Sequence, residues 1–506
     1  MIVLERYDQL DLDAYRRVVC EYEPVELAAG LQRHVDERRR AMESHLAAGG
    51  AAYGVTSGPG YLTARSIAPE DRLAMQHSIL VGRAVGVGEP LPEEVVRGAM
   101  LLRLTGFLSG HAGATAALCA FIADRLNDGW YPVVPASRPG SAGETIPLCH
   151  LFQTLIGEGD VLCGGERMPA QAALARLGVA PYRLQLKEGL ALINGAPFAP
   201  ALAASLAIRA ETLLEQATLL GALAAALMGV PARPYSPRIG RLKGDPGQAR
   251  VHARLAELTG AESPEEGRQA PVSLRVLPQV HGAAFDQLDQ LVAQLERELR
   301  AVTDSPLYLG AEGDEPEGFY SSGNFHSQAL SLILDALAVA FTQVAALAEK
   351  RLHRLLDSRF SGLPEQLSPG PERGHCGLVA LHKAVVGLGA ENRMLAAPAS
   401  VHASDTSSGQ EDFQAFTALA ADKLGRLLDN LELALAYELV ALRQARELSA
   451  RELSPALAAV MDVAARAIEA VPCDRSLAPD VELARRIVCS GELTAAAGRL
   501  RPADAM

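Results

Sequence analysis

The sequence predicts a mainly α-helical protein, in which a long helical bundle follows a mixed, loop-rich N-terminal region. The chain has 506 residues, of which 49% are hydrophobic but only 5% are aromatic. Alanine and leucine supply most of this apolar content, and both are strong helix formers. Apolar residues also recur at helical spacing over long stretches after about residue 110, which indicates helices with wide buried faces.

Glycine and proline punctuate the chain up to about residue 110. Such residues mark turns and short connections, so this part is expected to combine a few helices with irregular structure. We therefore divide the chain into a mixed region at 1–110 and a helical region at 111–506. The clearest helical periodicity lies in 203–229, 283–301, 326–357, 376–395, 412–448 and 455–470.

Three segments between the predicted helices are rich in glycine, proline and charged residues, and we predict them to be loops. Loops of this length in a compact helical protein are usually functional or disordered. The three segments are 231–249, 304–324 and 361–375.

The net charge and the number and spacing of the cysteines indicate which binding partners and which cellular compartment to expect. The net charge of −13 is spread along the chain, which argues against a nucleic-acid partner. Seven scattered cysteines without a Cys-x-x-Cys pair are typical of a reduced, cytoplasmic protein. No signal peptide is expected, and the longest apolar run, 329–348, carries Asp335 and Gln343 and is therefore predicted to be a core helix, not a membrane span.

Five ordered motifs span much of the chain, and their number argues against chance similarity. The motifs are 53–60 (YGVTSGPG), 187–195 (KEGLALING), 269–279 (QAPVSLRVLPQ), 323–326 (GNFH) and 406–412 (TSSGQED). In this order they resemble the motifs of the histidine/phenylalanine ammonia-lyase family, and the similarity extends from about residue 10 to about residue 450. The resemblance implies the ammonia-lyase fold of the fumarase/aspartase type and a homotetramer whose active sites are each built from three chains.

The resemblance also implies a small substrate that bears a carboxylate, and it gives four residues catalytic roles. Tyr53 matches the base that removes the β-proton of the substrate. Asn194 matches a residue that contacts the internal electrophile and the polar groups of the substrate. Arg275 matches the arginine that binds the substrate carboxylate, a task that suits a bidentate guanidinium. Glu411 matches a pocket residue of the histidine-specific branch.

Four further residues are assigned to substrate binding. Phe325 matches a phenylalanine that packs against the electrophile loop, and Gln410 precedes Glu411 in its motif. Val272 stands where the family pattern has a second proton-handling tyrosine. Arg83 stands where the histidine-specific branch has a histidine, so it is suited either to an anionic group of the substrate or to a salt bridge with a carboxylate such as Glu411.

The loop at 138–150 (RPGSAGETIPLCH) departs from the family at its most important position. In the family an Ala-Ser-Gly triad cyclises into 4-methylideneimidazol-5-one (MIO), the electrophile of the reaction. Matching Pro147 and Leu148 to the family pattern aligns Ser141, Ala142 and Gly143 with the triad, so that alanine replaces the serine that loses water. A register shifted by one residue, Gly140-Ser141-Ala142, would put alanine where glycine is wanted, because a Cβ obstructs ring closure.

The sequence therefore predicts no MIO group and no other cofactor. No metal site is predicted either, because His77, His111 and His150 fit no metal-ligand spacing. Three functions remain open. The first, which the residues favour, is an MIO-independent lyase or isomerase reaction; the second is a conventional MIO-dependent ammonia-lyase or aminomutase in the shifted register. The third is a non-catalytic paralogue that binds a ligand or partner.

Overall fold

The computed structural model describes residues 1–138, 140–260 and 269–498. Helices dominate this part of the chain, which confirms the predicted mainly α-helical class. The helices are α1 Leu12–Val19, α2 Ala29–Ala47, α3 Arg72–Val81, α4 Glu93–Leu108, α5 Ala116–Asn127, α6 Thr145–Phe152, α7 Ala170–Arg176, α8 Glu188–Ile193, α9 Phe198–Leu227, α10 Pro237–Lys243, α11 Pro246–Thr259, α12 Val272–Arg275, α13 Leu277–Glu298, α14 Gln328–Leu356, α15 Ser358–Ser361, α16 Val379–Leu395, α17 Thr417–Leu448, α18 Pro455–Ala467, α19 Ala478–Ser490 and α20 Glu492–Ala497.

In the part of the chain that the structure describes, short strands form three small sheets. One sheet pairs two strands in parallel, with Ile2 opposite Val25, and the other two sheets are antiparallel with three and two strands. The strands are β1 Ile2–Leu4, β2 Val25–Leu27, β3 Trp130–Pro132, β4 Asp160–Cys163, β5 Glu166–Pro169, β6 Leu307–Leu309 and β7 Gly318–Tyr320.

The chain forms two compact units, each made of separate segments. The first unit comprises Met1–Ser205, Val292–Leu332 and Ala399–Ala421, and the second comprises the remaining segments, Leu206–Leu291, Ile333–Pro398 and Asp422–Met506. Neither unit begins or ends at residue 110. The division that the sequence suggested at that point stays a prediction.

Helix α4 forms the centre of the first unit. Every residue from Val95 to Leu108 is buried, as expected for a helix that is surrounded by others. Its buried Arg97 donates to the carbonyl oxygens of Val18 at 2.7 Å and Leu126 at 2.9 Å. These bonds satisfy the guanidinium and attach the ends of α1 and α5 to α4.

In the second unit, a buried ion pair joins α14 to α17. Nε and Nη2 of Arg351 each donate to the carboxylate of Glu438 at 2.7 Å, and both side chains are at most 1% exposed. The amide of Asn430 donates to Oδ1 of Asn392 at 2.9 Å, which links α17 to α16. These buried polar contacts join α17 to two neighbouring helices of the unit.

Two of the predicted loops contain regular structure, so those predictions were wrong. Helices α10 and α11 begin at Pro237 and Pro246 inside the segment predicted as a loop. Proline fits the first turn of a helix, where its missing N–H has no partner to lose. In the second case, β6 and β7 pair within 304–324.

Among the described residues, two helical stretches are long and apolar enough to cross a membrane by length and composition, namely Glu188–Leu227 and Gln328–Leu356. The most apolar windows of these stretches are 72% and 61% buried inside the protein. Core helices of folded proteins have the same character, so the two stretches are weak indicators of a membrane span.

Candidate active site

Tyr53 lies in a tight turn of the first unit, and a hydrogen bond and close packing hold this turn in place. The turn closes where the amide of Ala52 donates to Oγ1 of Thr56 at 2.8 Å. Gly54 has a φ of +68°, and a Cβ at this position would lie 2.6 Å from Leu190. The half-buried Tyr53 accepts a hydrogen bond from the amide of Gly60 at its phenolic oxygen, at 2.5 Å. The phenol proton is therefore not used in that bond and is free for another acceptor.

The segment 187–195 is anchored by two buried charged residues at its start. Nζ of Lys187 donates to the carbonyl oxygen of Ala112 at 2.6 Å and to Oδ2 of Asp304 at 2.9 Å. Arg103 donates to Oδ1 of the same Asp304 at 2.9 Å. Burial lowers the pKa of Lys187, and Asp304 opposes this effect. The carboxylate of Asp304 thus joins two cations in a site that excludes water.

Glu188 anchors the same segment through neutral donors. Its carboxylate accepts hydrogen bonds from the hydroxyl of Thr115 at 2.8 Å and the amide of Gln185 at 2.7 Å. The next residue, Gly189, packs so closely on Gln76 that a Cβ would lie 2.0 Å from its carbonyl oxygen. The segment therefore acts as a rigid base for Asn194, which follows α8.

Asn194 and Gly195 connect this base to the loop at 140–144. The side-chain amide of Asn194 donates to the carbonyl oxygen of Ser305. The amide of Glu144 donates to the carbonyl oxygen of Gly195 at 3.4 Å. The loop and Asn194 are therefore next to each other in the first unit.

Glu144 ends the loop and caps α9. Its carboxylate accepts hydrogen bonds from the amides of Phe198 and Ala199, both at 2.6 Å, at the start of that helix. Burial raises the pKa of Glu144 to about 8, against the two amide bonds, which lower it. No role was predicted for Glu144 from the sequence, and the structure places it between the loop and the start of α9.

Glu411 binds the loop directly. Its Oε2 accepts a hydrogen bond from the amide of Ala142 at 3.0 Å, and its Oε1 accepts one from the hydroxyl of Ser407 at 2.9 Å. The hydroxyl of Ser141 donates to the carbonyl oxygen of Gly143. A Cβ at Gly143 would lie 3.7 Å from Phe325, so the structure places this phenylalanine against the loop.

The segment that follows Tyr53 lies close to Ser407, the residue that donates a hydrogen bond to Glu411. A Cβ at Gly60 would lie 3.9 Å from Oγ of Ser407, and Ser407 in turn donates to Glu411. The first unit therefore brings Tyr53, Glu411, Asn194 and Phe325 together around residues 140–144. Gln410 is exposed.

Arg83 is half-buried and its Nη1 donates to the carbonyl oxygen of Ile79 at 3.3 Å. Arg83 lies close enough to Cys149 on α6 to lower its pKa, although burial dominates and raises that pKa to about 12. Within the described residues no ion pair joins Arg83 to Glu411, and the two roles considered for Arg83, an anionic group of the substrate or a salt bridge with a carboxylate, stay predictions.

Arg275 and Val272 lie on α12, in the second unit. Nε of Arg275 donates to the carbonyl oxygen of Ala270 at 2.9 Å, and the guanidinium is half-buried. Val272 is 60% exposed. The assigned site residues thus belong to both units.

Comparisons with known proteins identify the family. The sequence matches the family described as aromatic amino acid lyase over residues 10–466. The chain belongs to the aromatic amino acid lyase family. It is therefore a carbon–nitrogen lyase, and its fold is that of the ammonia-lyases.

Individual relatives of this lyase are similar over almost their whole length. A histidine ammonia-lyase of Deinococcus radiodurans is 35% identical, with 97% of this chain and 94% of the relative covered. The structure of tyrosine aminomutase from Streptomyces globisporus has a TM-score of 0.91 at 28% identity, covering 99% of this chain and 100% of that one. The structure of the ergothioneine-degrading enzyme ergothionase from Treponema denticola has a TM-score of 0.92 at 25% identity, covering 97% of this chain and 99% of that one.

Proposed function

We propose that this lyase breaks the carbon–nitrogen bond of a small, amino acid-like carboxylate without an MIO electrophile. The proposal rests on the presence of alanine at position 142, at the centre of the loop that would form MIO. The amide of Ala142 donates a hydrogen bond to Glu411. The residues at this position do not fit the group. MIO forms only if the middle residue of the triad loses a hydroxyl as water, and alanine has no hydroxyl.

The shifted register fits no better. In that register the attacking nitrogen belongs to Ala142, where a Cβ obstructs the compressed turn. In that register the hydroxyl of Ser141 would have to leave as water. In the structure this hydroxyl donates a hydrogen bond to the carbonyl oxygen of Gly143. We therefore derive no step of the reaction through an internal electrophile.

A site without an electrophile needs a substrate that reacts more easily. The β-proton of an ordinary amino acid is weakly acidic and free ammonia is a poor leaving group, and each tenfold loss in rate corresponds to about 1.36 kcal/mol of barrier. An α-nitrogen that leaves as a neutral tertiary amine removes part of this barrier. We propose a quaternary α-ammonium substrate of this kind.

The relatives support this class of substrate in two ways. The curated relatives named histidine ammonia-lyase support an amino acid-like skeleton. Ergothionase is described as degrading ergothioneine, a betaine whose α-nitrogen carries three methyl groups. Substrates of both kinds keep the carboxylate that Arg275 is proposed to bind.

Each of the site residues has its own role in the proposed reaction. Tyr53 removes the β-proton, Asn194 binds polar groups of the substrate, and Glu411 orients it beside the loop. Arg275 binds the carboxylate through its bidentate guanidinium. We further propose that Arg83 holds an anionic or strongly polar group at the far end, and that the enzyme is a cytoplasmic homotetramer with shared active sites.

Intact mass and a matched substrate pair test the proposal. The tag-free protein is weighed, its ultraviolet spectrum is recorded before and after borohydride, and histidine and phenylalanine are assayed beside their N,N,N-trimethyl betaines. We expect an unmodified mass, no bleachable chromophore, and formation of an α,β-unsaturated acid only from a betaine.

Two other outcomes would overturn the proposal. A mass lower by two water molecules, together with turnover of a free amino acid, would establish the MIO-dependent alternative. An unmodified mass with ligand-induced stabilisation but no turnover of any betaine or amino acid would favour the non-catalytic alternative.

A further inference from the structure

A cluster of three metal-binding side chains lies in the second unit, and none of the three has a role in the proposed reaction. Glu349 and His353 lie on α14, and His382 lies on α16. Their ligand atoms all lie within 4.8 Å of one another. Nε2 of His382 is 2.7 Å from Oε1 of Glu349, and the rings of His353 and His382 stack with their centroids 4.5 Å apart.

The backbone explains why these side chains converge. Residues four apart on a helix project from the same face, so Glu349 and His353 stand one turn apart on α14. His382 reaches them from a second helix. Ligands on helices are held more rigidly than ligands on loops. The side chain of Glu349 is 10% exposed and that of His382 is 24% exposed, so an ion can enter from the side of the imidazoles.

The donor set selects a class of metal. Two imidazole nitrogens and one carboxylate oxygen suit Zn²⁺ and other late first-row divalent ions, whereas Ca²⁺ and Mg²⁺ prefer oxygen ligands alone. Ligand distances of about 2.0–2.2 Å in a tetrahedral site put the ligand atoms about 3.3–3.6 Å apart. The ligand atoms lie within 4.8 Å of one another, so the stacked imidazoles have to rotate for the cluster to close around an ion, with a fourth position left for water.

Two cations compete for the same groups. Nζ of Lys350 lies 2.7 Å from Oε2 of Glu349, and its side chain is 51% exposed. Nη1 of Arg354 lies 3.5 Å from Nδ1 of His353, which leaves Nε2 of that ring for an ion. Because an exposed lysine can swing into solvent, Lys350 weakens metal binding without preventing it.

We propose that Glu349, His353 and His382 form a site for a divalent transition-metal ion of the zinc class, which clamps α14 to α16. Binding to the folded state alone stabilises that state by mass action. The proposal departs from the sequence-based prediction of no metal site, which considered only other histidines.

Metal titration of the tag-free, full-length chain tests the site. After treatment with a chelator, the protein is titrated with Zn²⁺ against a chromophoric competitor, and its unfolding temperature is measured with and without the ion. We expect one equivalent bound per chain and a higher unfolding temperature with Zn²⁺. His353→Gln and His382→Gln should each weaken binding by more than about 100-fold, beyond the loss typical of an outer hydrogen-bond partner.

Two control variants make the result specific. His375→Gln removes an imidazole outside the cluster, 4.0 Å from the carboxylate of Asp474, and should leave binding unchanged. Lys350→Gln removes the competing cation and should tighten binding several-fold. The proposal is overturned if no equivalent binds, if both ligand variants bind as the parent does while unfolding at the parent's metal-free temperature, or if Lys350→Gln weakens binding.

Discussion

The carboxylate of Glu411 accepts a hydrogen bond from the backbone amide of Ala142 at 3.0 Å. Through this bond a residue of the 406–412 motif contacts the loop that forms the electrophile in MIO-dependent relatives of the family. The loop is held by the same scaffold although its middle side chain carries no hydroxyl. Such a site can still bind and orient a substrate, and under the proposed function the chemistry comes from the substrate and from the side chains around it.

Restoring the missing hydroxyl tests whether the scaffold still supports cyclisation. Ala142→Ser creates a Ser-Ser-Gly triad in which the attacking nitrogen belongs to Gly143, which has no Cβ to obstruct ring closure. We expect the intact mass of this variant to fall by two water molecules and a chromophore to appear. Ser141→Ala in the parent is the control and should leave the mass unchanged apart from the substitution. An unmodified Ala142→Ser protein would mean that residues beyond the triad have also changed.

Tyr53→Phe should separate catalysis from stability. The variant loses the proposed base, so turnover of any accepted substrate should fall by roughly 100-fold or more. Its free energy of unfolding should fall by only about 1 kcal/mol, because the hydrogen bond that the amide of Gly60 donates to the phenolic oxygen is lost. Tyr61→Phe, at a tyrosine that is 67% exposed, should change neither quantity. Turnover of Tyr53→Phe at the parent rate would exclude this tyrosine as the base.

Asp304→Asn should destabilise the first unit strongly. The substitution leaves Lys187 and Arg103 buried without their shared anion, and breaking a buried pair costs about 3–5 kcal/mol. Asp160→Asn, which breaks an exposed pair with Arg167, should cost no more than about 1 kcal/mol. Denaturant unfolding of the two variants measures the difference. Equal losses would show that the buried carboxylate contributes no more than a surface one.

The sequence was a good guide to the long helices. The stretch 326–357 corresponds to α14 at Gln328–Leu356, and 455–470 corresponds to α18 at Pro455–Ala467. Periodicity succeeds there because each helix buries one continuous face. It failed at α10 and α11, because the prolines that begin these helices were interpreted as signs of a loop.

The side-chain contacts of the site could be predicted only in part. The motifs located Tyr53, Asn194 and Glu411, and the structure brings them together in one unit. Nothing in the sequence pointed to Asp304, because its partners Lys187 and Arg103 lie 117 and 201 positions away. Local patterns carry no information about such pairs.

The stability of the protein should depend on pH through Glu144. Burial raises its pKa to about 8, above its value in the unfolded chain, so the folded state binds the proton more tightly. The resulting stability is complete below about pH 4 and is lost as the pH rises through about 8. Unfolding temperatures from pH 5 to pH 9 should therefore fall more steeply for the parent than for Glu144→Gln. The comparison uses the slope, because glutamine also changes the cap of α9. Parallel slopes would contradict the raised pKa.

Arg83→Gln tests how the far end of the substrate is recognised. The only hydrogen bond that the described residues give its guanidinium is one to the carbonyl oxygen of Ile79, which leaves donors for a ligand. A hydrogen bond from a charged donor contributes about 1.5–3 kcal/mol, so KM for a substrate with an anionic ring substituent should rise roughly 10- to 100-fold. KM for the matching uncharged substrate should change little, and kcat should be kept because Arg83 is proposed to bind rather than to move protons. Steady-state kinetics on the substrate pair distinguish this role from a structural one. If both KM values rise together, or if kcat falls alone, Arg83 supports the fold around α6 and does not contact the substrate.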